Sequence, residues 1–326
     1  MVLRRFFIAI GIFASLLAAN LSLTAAGTAA GAADRLTVVA TVSMIGDALH
    51  KISGDRVNVV TLMGEGVDPH LYRQTQSDIA AMVRADAVFW NGLYLEAQLE
   101  EFLEKLAKRK PVFAIGEAVP ENLRRSSVAY PDRYDPHIWM TPDLWPYVVE
   151  AARDALIGLD PEGADIYAAN TKDYLLQVSA LAVYAHESLA TVPKDKRVLV
   201  TAHDAFGYFG RSYDFEVVGI QGLSTESEAG LQRVDQIVSL IVERNIQSIF
   251  VESSVPVRNV RALIEGAAAQ GHKVVVGGQL FSDAMGSAGT YTGTYIGMID
   301  SNVTLITNSL GGKAPAAGFQ GKLIGS

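Results

Sequence analysis

The chain has 326 residues, 27 Lys and Arg against 35 Asp and Glu, a formal charge of -8 and no cysteine. An acidic chain without a basic cluster argues against nucleic acid as a partner. The missing thiols exclude disulfide staples and the lipid-modified Cys by which bacterial lipoproteins are anchored.

At the start, Arg4 and Arg5 precede an apolar run from Phe6 to Leu23 that ends in small residues around Ala30-Gly31-Ala32. That is the layout of a cleavable secretory signal peptide over residues 1–33. The run approaches the length of a membrane span, but the small-residue tail favours cleavage over retention. The expectation is a soluble monomer free in the periplasm, not a lipoprotein, held together by its hydrophobic core alone.

From Leu36 onward, β-branched runs alternate with amphipathic stretches, the pattern of βα units around parallel sheets. In the first half, strands are expected at 36–41, 57–62, 87–90 and 112–115, with helices at 43–53, 75–85, 96–108 and 142–159. Asp160-Pro161-Glu162 then reads as a helix start, with Asp at the N-cap and Pro in the first turn, and no further Pro occurs before Pro193. Ile166, Val178, Leu181, Ala185 and Leu189 keep helical spacing through this stretch. A helix of about thirty residues would be roughly 45 Å long, a rod suited to bracing two lobes. In the second half, strands are expected at 197–201, 216–220, 248–252 and 273–277, with helices at 229–244, 257–271 and 291–309. The fold class is therefore α/β, with two βα lobes at 34–159 and 194–326 joined by a linking helix at 160–193.

Six histidines are present, and their settings differ. His70 ends Gly64-Glu65-Gly66-Val67-Asp68-Pro69-His70, a loop just beyond a predicted strand, and His137 ends a second Asp-Pro-His word after the polar loop 117–135. His203 directly follows the strand at 197–201, and Asp283 follows the last predicted strand. Ligands of open parallel sheets bind beyond the carboxyl ends of the strands, so two candidates per lobe imply a site in the cleft between lobes. Three imidazoles and a carboxylate suit a borderline-soft divalent metal and would not suit Ca²⁺ or Mg²⁺, which take mostly oxygen. On spacing alone Asp204 competes with Asp283, because Asp is common in loops. His50, in a helix, His186, on the linking helix, and His272, in a polar turn, read as surface histidines.

Five ordered words carry a resemblance: Asp68-Pro69-His70, Asp135-Pro136-His137-Ile138-Trp139, the run from Thr201 to Phe209, Phe250-Val251-Glu252-Ser253-Ser254, and the run from Gly278 to Ala284. In this order they resemble the periplasmic zinc- and manganese-binding proteins of ABC importers, most of all the TroA-like members. The resemblance extends over nearly all of the chain from Leu36 to Leu310. It implies two lobes joined by one long helix, with His70 and His137 as first-lobe ligands and His203 and Asp283 as second-lobe ligands of one Zn²⁺ or Mn²⁺ ion. Many manganese-type relatives carry Glu at the position of His203, and many zinc binders have a His-rich loop where 117–135 contains no His, so both metals stay open, with Fe²⁺ third.

The function so implied is capture of the ion and delivery to a membrane ABC permease. Four protein ligands fill a tetrahedral shell and leave no open position for a reacting water. The rival reading is an exported metal-dependent hydrolase with Glu65 or Glu252 as base, against which stands the absence of an HExxH helix. Glu226 is a candidate for the rim of the cleft.

Overall fold

The computed structural model describes residues 35–127 and 132–323. The expected signal peptide lies outside the described residues. Among those described, no helix is long and apolar enough to cross a membrane.

In chain order the first half places β1 (Thr37–Val42), α1 (Ser43–Ser53), β2 (Asn58–Met63), α2 (Gln76–Arg84), β3 (Ala87–Trp90), α3 (Glu100–Ala107), β4 (Val112–Ala114) and α4 (Trp145–Leu159). The strands form one sheet in the order β2-β1-β3-β4, with each pairing parallel. Val38, Val39, Ala40 and Val42 of β1 are all buried, and so is every residue of β3. Such largely apolar, buried strands are what a parallel sheet covered on both faces requires.

The expected helix at 96–108 starts later, at Glu100, and the cause is local. Gly92, Leu93 and Tyr94 all have positive φ, at 73°, 56° and 70°. Left-handed backbone at the two non-glycine positions costs about 1–2 kcal/mol each. The turn is held by Glu96, which points inward instead of out from a helix and accepts hydrogen bonds from Thr41 Oγ1 at 2.6 Å and Asn91 N at 2.8 Å.

The long helix α5 (Ala164–Ala190) has 27 residues, about 40 Å at 1.5 Å per residue. Its start differs from expectation. Residues Pro161–Gly163 form a separate 3-10 turn, and the Asp160 carboxylate pairs with Arg56 and accepts from Tyr167 Oη at 2.5 Å instead of capping the helix. Tyr167, Thr171, Tyr174, Val178, Leu181, Ala185, Ser188 and Leu189 make its buried stripe. Ile166, counted toward that stripe in the sequence, is 47% exposed, and Tyr167 takes its place.

The second half contains β5 (Val198–Thr201), α6 (Gly207–Tyr213), β6 (Glu216–Gly219), α7 (Leu231–Glu243), β7 (Ser248–Glu252), α8 (Arg258–Ala269), β8 (Val275–Leu280) and α9 (Tyr295–Ser309). β5 pairs with β6 and β7 with β8, both parallel. One apolar core joins the first sheet and α1, α4 and α5 to residues of α6 and α9, so α5 packs against elements of both halves. A second core lies where Val198, Val200 and Ile249 meet Ile237, Ile241 and Leu263 of α7 and α8. The architecture is α/β, with parallel sheets in both halves and the long helix packed against elements of each.

Candidate metal centre

His70 lies beyond β2, His137 opens the short turn Ile138–Met140, His203 sits two residues past β5 and Asp283 three past β8. All four are buried, with 0–2% of their surface exposed. Each offers one ligand atom, and these atoms all lie within 4.8 Å of one another. Strands of three separate sheets, β2, β5 and β8, thus deliver His70, His203 and Asp283 to one point beyond their carboxyl ends, and the turn at Ile138–Met140 adds His137.

The rings of His137 and His203 are oriented from behind. His137 Nδ1 lies 2.8 Å from Asp135 Oδ1, which also accepts the His137 backbone N–H at 3.0 Å. His203 Nδ1 lies 2.5 Å from Glu252 Oε2, and the His203 backbone N–H donates to Glu252 Oε1 at 2.9 Å. A carboxylate accepting from Nδ1–H fixes the tautomer whose Nε2 carries a free lone pair. Both Nε2 atoms point into the cluster: His137 Nε2 is 3.3 Å from His70 Nε2 and 3.4 Å from His203 Nε2. Asp283 Oδ2 is 3.1 Å from His203 Nε2 and Oδ1 is 3.4 Å from His137 Nε2, yet neither oxygen has a hydrogen-bond partner of acceptable geometry. Buried acceptors facing one another without donors are costly. A cation at their common centre satisfies all of them, and the donor set of imidazoles plus carboxylate fits Zn²⁺ or Mn²⁺.

Titration follows from the same geometry. Burial pushes the His70 imidazole down to about 3. For His137 burial works in the same direction, but the hydrogen bond to Asp135 and the nearby carboxylates of Asp135 and Asp283 outweigh it and carry the group up to about 9. His203 rises well above its ordinary value because Glu252 and Asp283 overcome its burial. Asp283, against the effect of its own burial, is held well below the carboxylate range by His203 and His137.

The other candidates fall outside the cluster. His50 is exposed on α1, His186 faces Asp143 at 3.1 Å on the surface, and His272 Nε2 meets the Ile246 carbonyl at 2.7 Å. Asp204 lies outside the four-residue group, its carboxyl raised by burial and by the charge of Asp135. Glu65 is at the surface, accepting from Ser287 Oγ at 2.5 Å, and Glu226 accepts from Gln98 Nε2 at 2.7 Å, also exposed. The orienting roles of Asp135 and Glu252 were not read from the sequence. The Asp two residues before His137 was a signal, whereas Glu252 is brought to His203 only by the pairing of sheets.

The family model described as zinc-uptake complex component A, periplasmic, matches residues 38–309. The manganese-binding lipoprotein MntA of Bacillus subtilis is 43% identical over 303 residues, covering 92% of this chain and 99% of that protein. The zinc-binding protein TroA of Treponema pallidum is 42% identical over 273 residues, covering 84% of this chain and 88% of that protein. The solved structure of the periplasmic zinc-binding TroA from Treponema pallidum superposes with a TM-score of 0.83 at 42% identity, covering 85% of this chain and 99% of that one. The Bacillus relative overturns the expectation of a protein free in the periplasm and not a lipoprotein. With the match spanning the sheets of both halves, the long helix and all four clustered side chains, the chain belongs to the zinc-uptake component A family of metal-binding solute-binding proteins of ABC importers.

Proposed function

We propose that this chain captures one Zn²⁺ or Mn²⁺ ion through His70, His137, His203 and Asp283 and delivers it to a membrane ABC permease. The observation that carries the ligand assignment is the convergence of four buried ligand atoms within 4.8 Å, with the Asp283 oxygens unpartnered. Relatives named for manganese and for zinc support a divalent transition metal as cargo. The working division is a first lobe at 34–159, a linking helix at 160–193 and a second lobe at 194–326, acting as a monomer.

The site is a holding site and not a catalytic one. Four protein ligands leave no coordination position for an activated water. Of the two carboxylates suited to act as base, Glu252 has both oxygens engaged by His203 and Glu65 is at the surface. The His nitrogens must be unprotonated to bind, so loading expels protons from His137 and His203.

The test is equilibrium dialysis of the purified chain against Zn²⁺ and Mn²⁺ with elemental analysis. One ion per chain, reduced to none at micromolar metal in His203→Ala, supports the proposal. Unchanged loading of His203→Ala would overturn it.

A further inference from the structure

His137 comes from the first half of the sequence, but the segment that carries it is fastened to the second half. The Trp139 indole Nε1 donates to the Ser282 carbonyl at 2.8 Å, next to Asp283, and both Trp139 and Ser282 are fully buried. Tyr295 Oη, from the first turn of α9, donates to the Trp139 carbonyl at 3.0 Å. On the other side of His137, Tyr208 Oη of α6 accepts the Arg125 backbone N–H at 3.0 Å and donates to the Asp135 carbonyl at 2.9 Å. The Arg125 guanidinium, 2.5 Å from Asp135 Oδ2, lies flat over Gly207, where a Cβ would fall 1.1 Å from Nη1. Only glycine at this position lets the arginine reach the carboxylate that orients His137.

We infer that Trp139 and Tyr208 are positioning residues that staple His137 to the second-half ligands, so that His137, His203 and Asp283 form a preassembled three-ligand cradle before the ion arrives. The inference rests on the ligand reading above and goes beyond it by naming what sets the distances between ligands from different halves. Each staple bond is buried, and it joins backbone within two residues of a ligand to the opposite half. A shift of either half therefore breaks these bonds before it separates the rings. The ion need not draw the halves together, and its binding energy is retained as affinity because the geometry is already formed.

The experiment uses Co²⁺ as probe on the full chain, comparing wild type with Trp139→Phe, which removes the bond to Ser282, and Tyr208→Phe, which removes both bonds of the hydroxyl, each retaining an aromatic side chain. Three quantities are measured: the visible spectrum of the Co²⁺ form, the rate of Co²⁺ loss to a chelator, and the thermal midpoint of the metal-free protein. Leu181→Ala, a core deletion on α5 away from the site, controls for loss of stability alone. The staple predicts release at least about tenfold faster and an altered Co²⁺ spectrum in both Phe variants, the size seen when groups supporting metal ligands are removed. Leu181→Ala should keep the wild-type spectrum. If Trp139→Phe does not fold, Tyr208→Phe decides by itself. Wild-type spectrum and release rate in the Phe variants would overturn the staple and leave the ligand assignment standing, whereas failure of wild type to bind Co²⁺ would overturn both.

Discussion

Glu252 accepts from His203 twice, through Nδ1 at 2.5 Å and through the backbone N–H at 2.9 Å, so one carboxylate fixes both the ring and the chain at that ligand. Both side chains are buried, so removing the carboxylate leaves the His203 ring without its orienting acceptor. Glu252→Ala should therefore lower affinity for Zn²⁺ and Mn²⁺ by about 10- to 100-fold while leaving the four ligand residues in place. Competition with a chromophoric chelator reads this directly, and undiminished affinity would show that His203 is oriented by something else.

Affinity should depend steeply on pH, and the sign follows from His137. Its pKa in the cation-free protein is raised to about 9, so below that pH the ring holds a proton that metal must displace. Each displaced proton weakens binding about tenfold per unit fall in pH. Titration calorimetry between about pH 6 and 8 should show affinity rising with pH and protons released to buffer. A flat profile would contradict ligation by these imidazoles.

The long helix makes a separate prediction about stability. Leu181 is fully buried in its stripe, whereas Leu176 on the same helix is 62% exposed. Leu181→Ala should cost about 2–5 kcal/mol in urea denaturation, and Leu176→Ala far less. Equal costs would mean that the helix presents a different face to the core.

At the head of that helix, the hydrogen bond and charge of Arg56 and the Tyr167 hydroxyl hold the Asp160 carboxyl down to about 2. A depressed carboxylate contributes stability that is present above about pH 4 and is lost as pH falls through about 2. Arg56 and Asp160 are partly open to solvent, so the ion pair itself is screened. Tyr167→Phe removes the buried donor and should cost about 1.5 kcal/mol near neutral pH, with the difference from wild type vanishing in strong acid. Denaturation curves at several pH values check both the size and the direction.

The four clustered residues were legible because sequence pattern locates strand ends well, and each of them follows a strand or ends the loop beyond one. Two Asp-Pro-His words also mark His70 and His137 directly. What escaped was set by tertiary contact. The last strand was expected at 273–277, but β8 starts at Val275 and runs on to Leu280. Gly278, at φ 147°, makes room for Leu305 of α9, which would lie 2.7 Å from any Cβ there. Helix α6 went unread because Gly207 and Gly210 weaken its pattern, and Gly207 is needed for the approach of Arg125 from a distant loop. Glu96 carried the signature of a helical surface acid and turned out buried, because its partners Thr41 and Asn91 are defined only once the first sheet has formed. The pattern along the chain also carried no sign that the His137 segment would be bonded to the second half as well as to its own.

The most direct test of the central claim is a crystal structure of the metal-loaded chain with anomalous diffraction recorded at the zinc and manganese edges. A single peak bonded to His70, His137, His203 and Asp283, at about 2.0–2.2 Å for a zinc ion, is the predicted result. A peak elsewhere, or one at this point bonded to fewer than these four side chains with water in the remaining positions, would contradict the account.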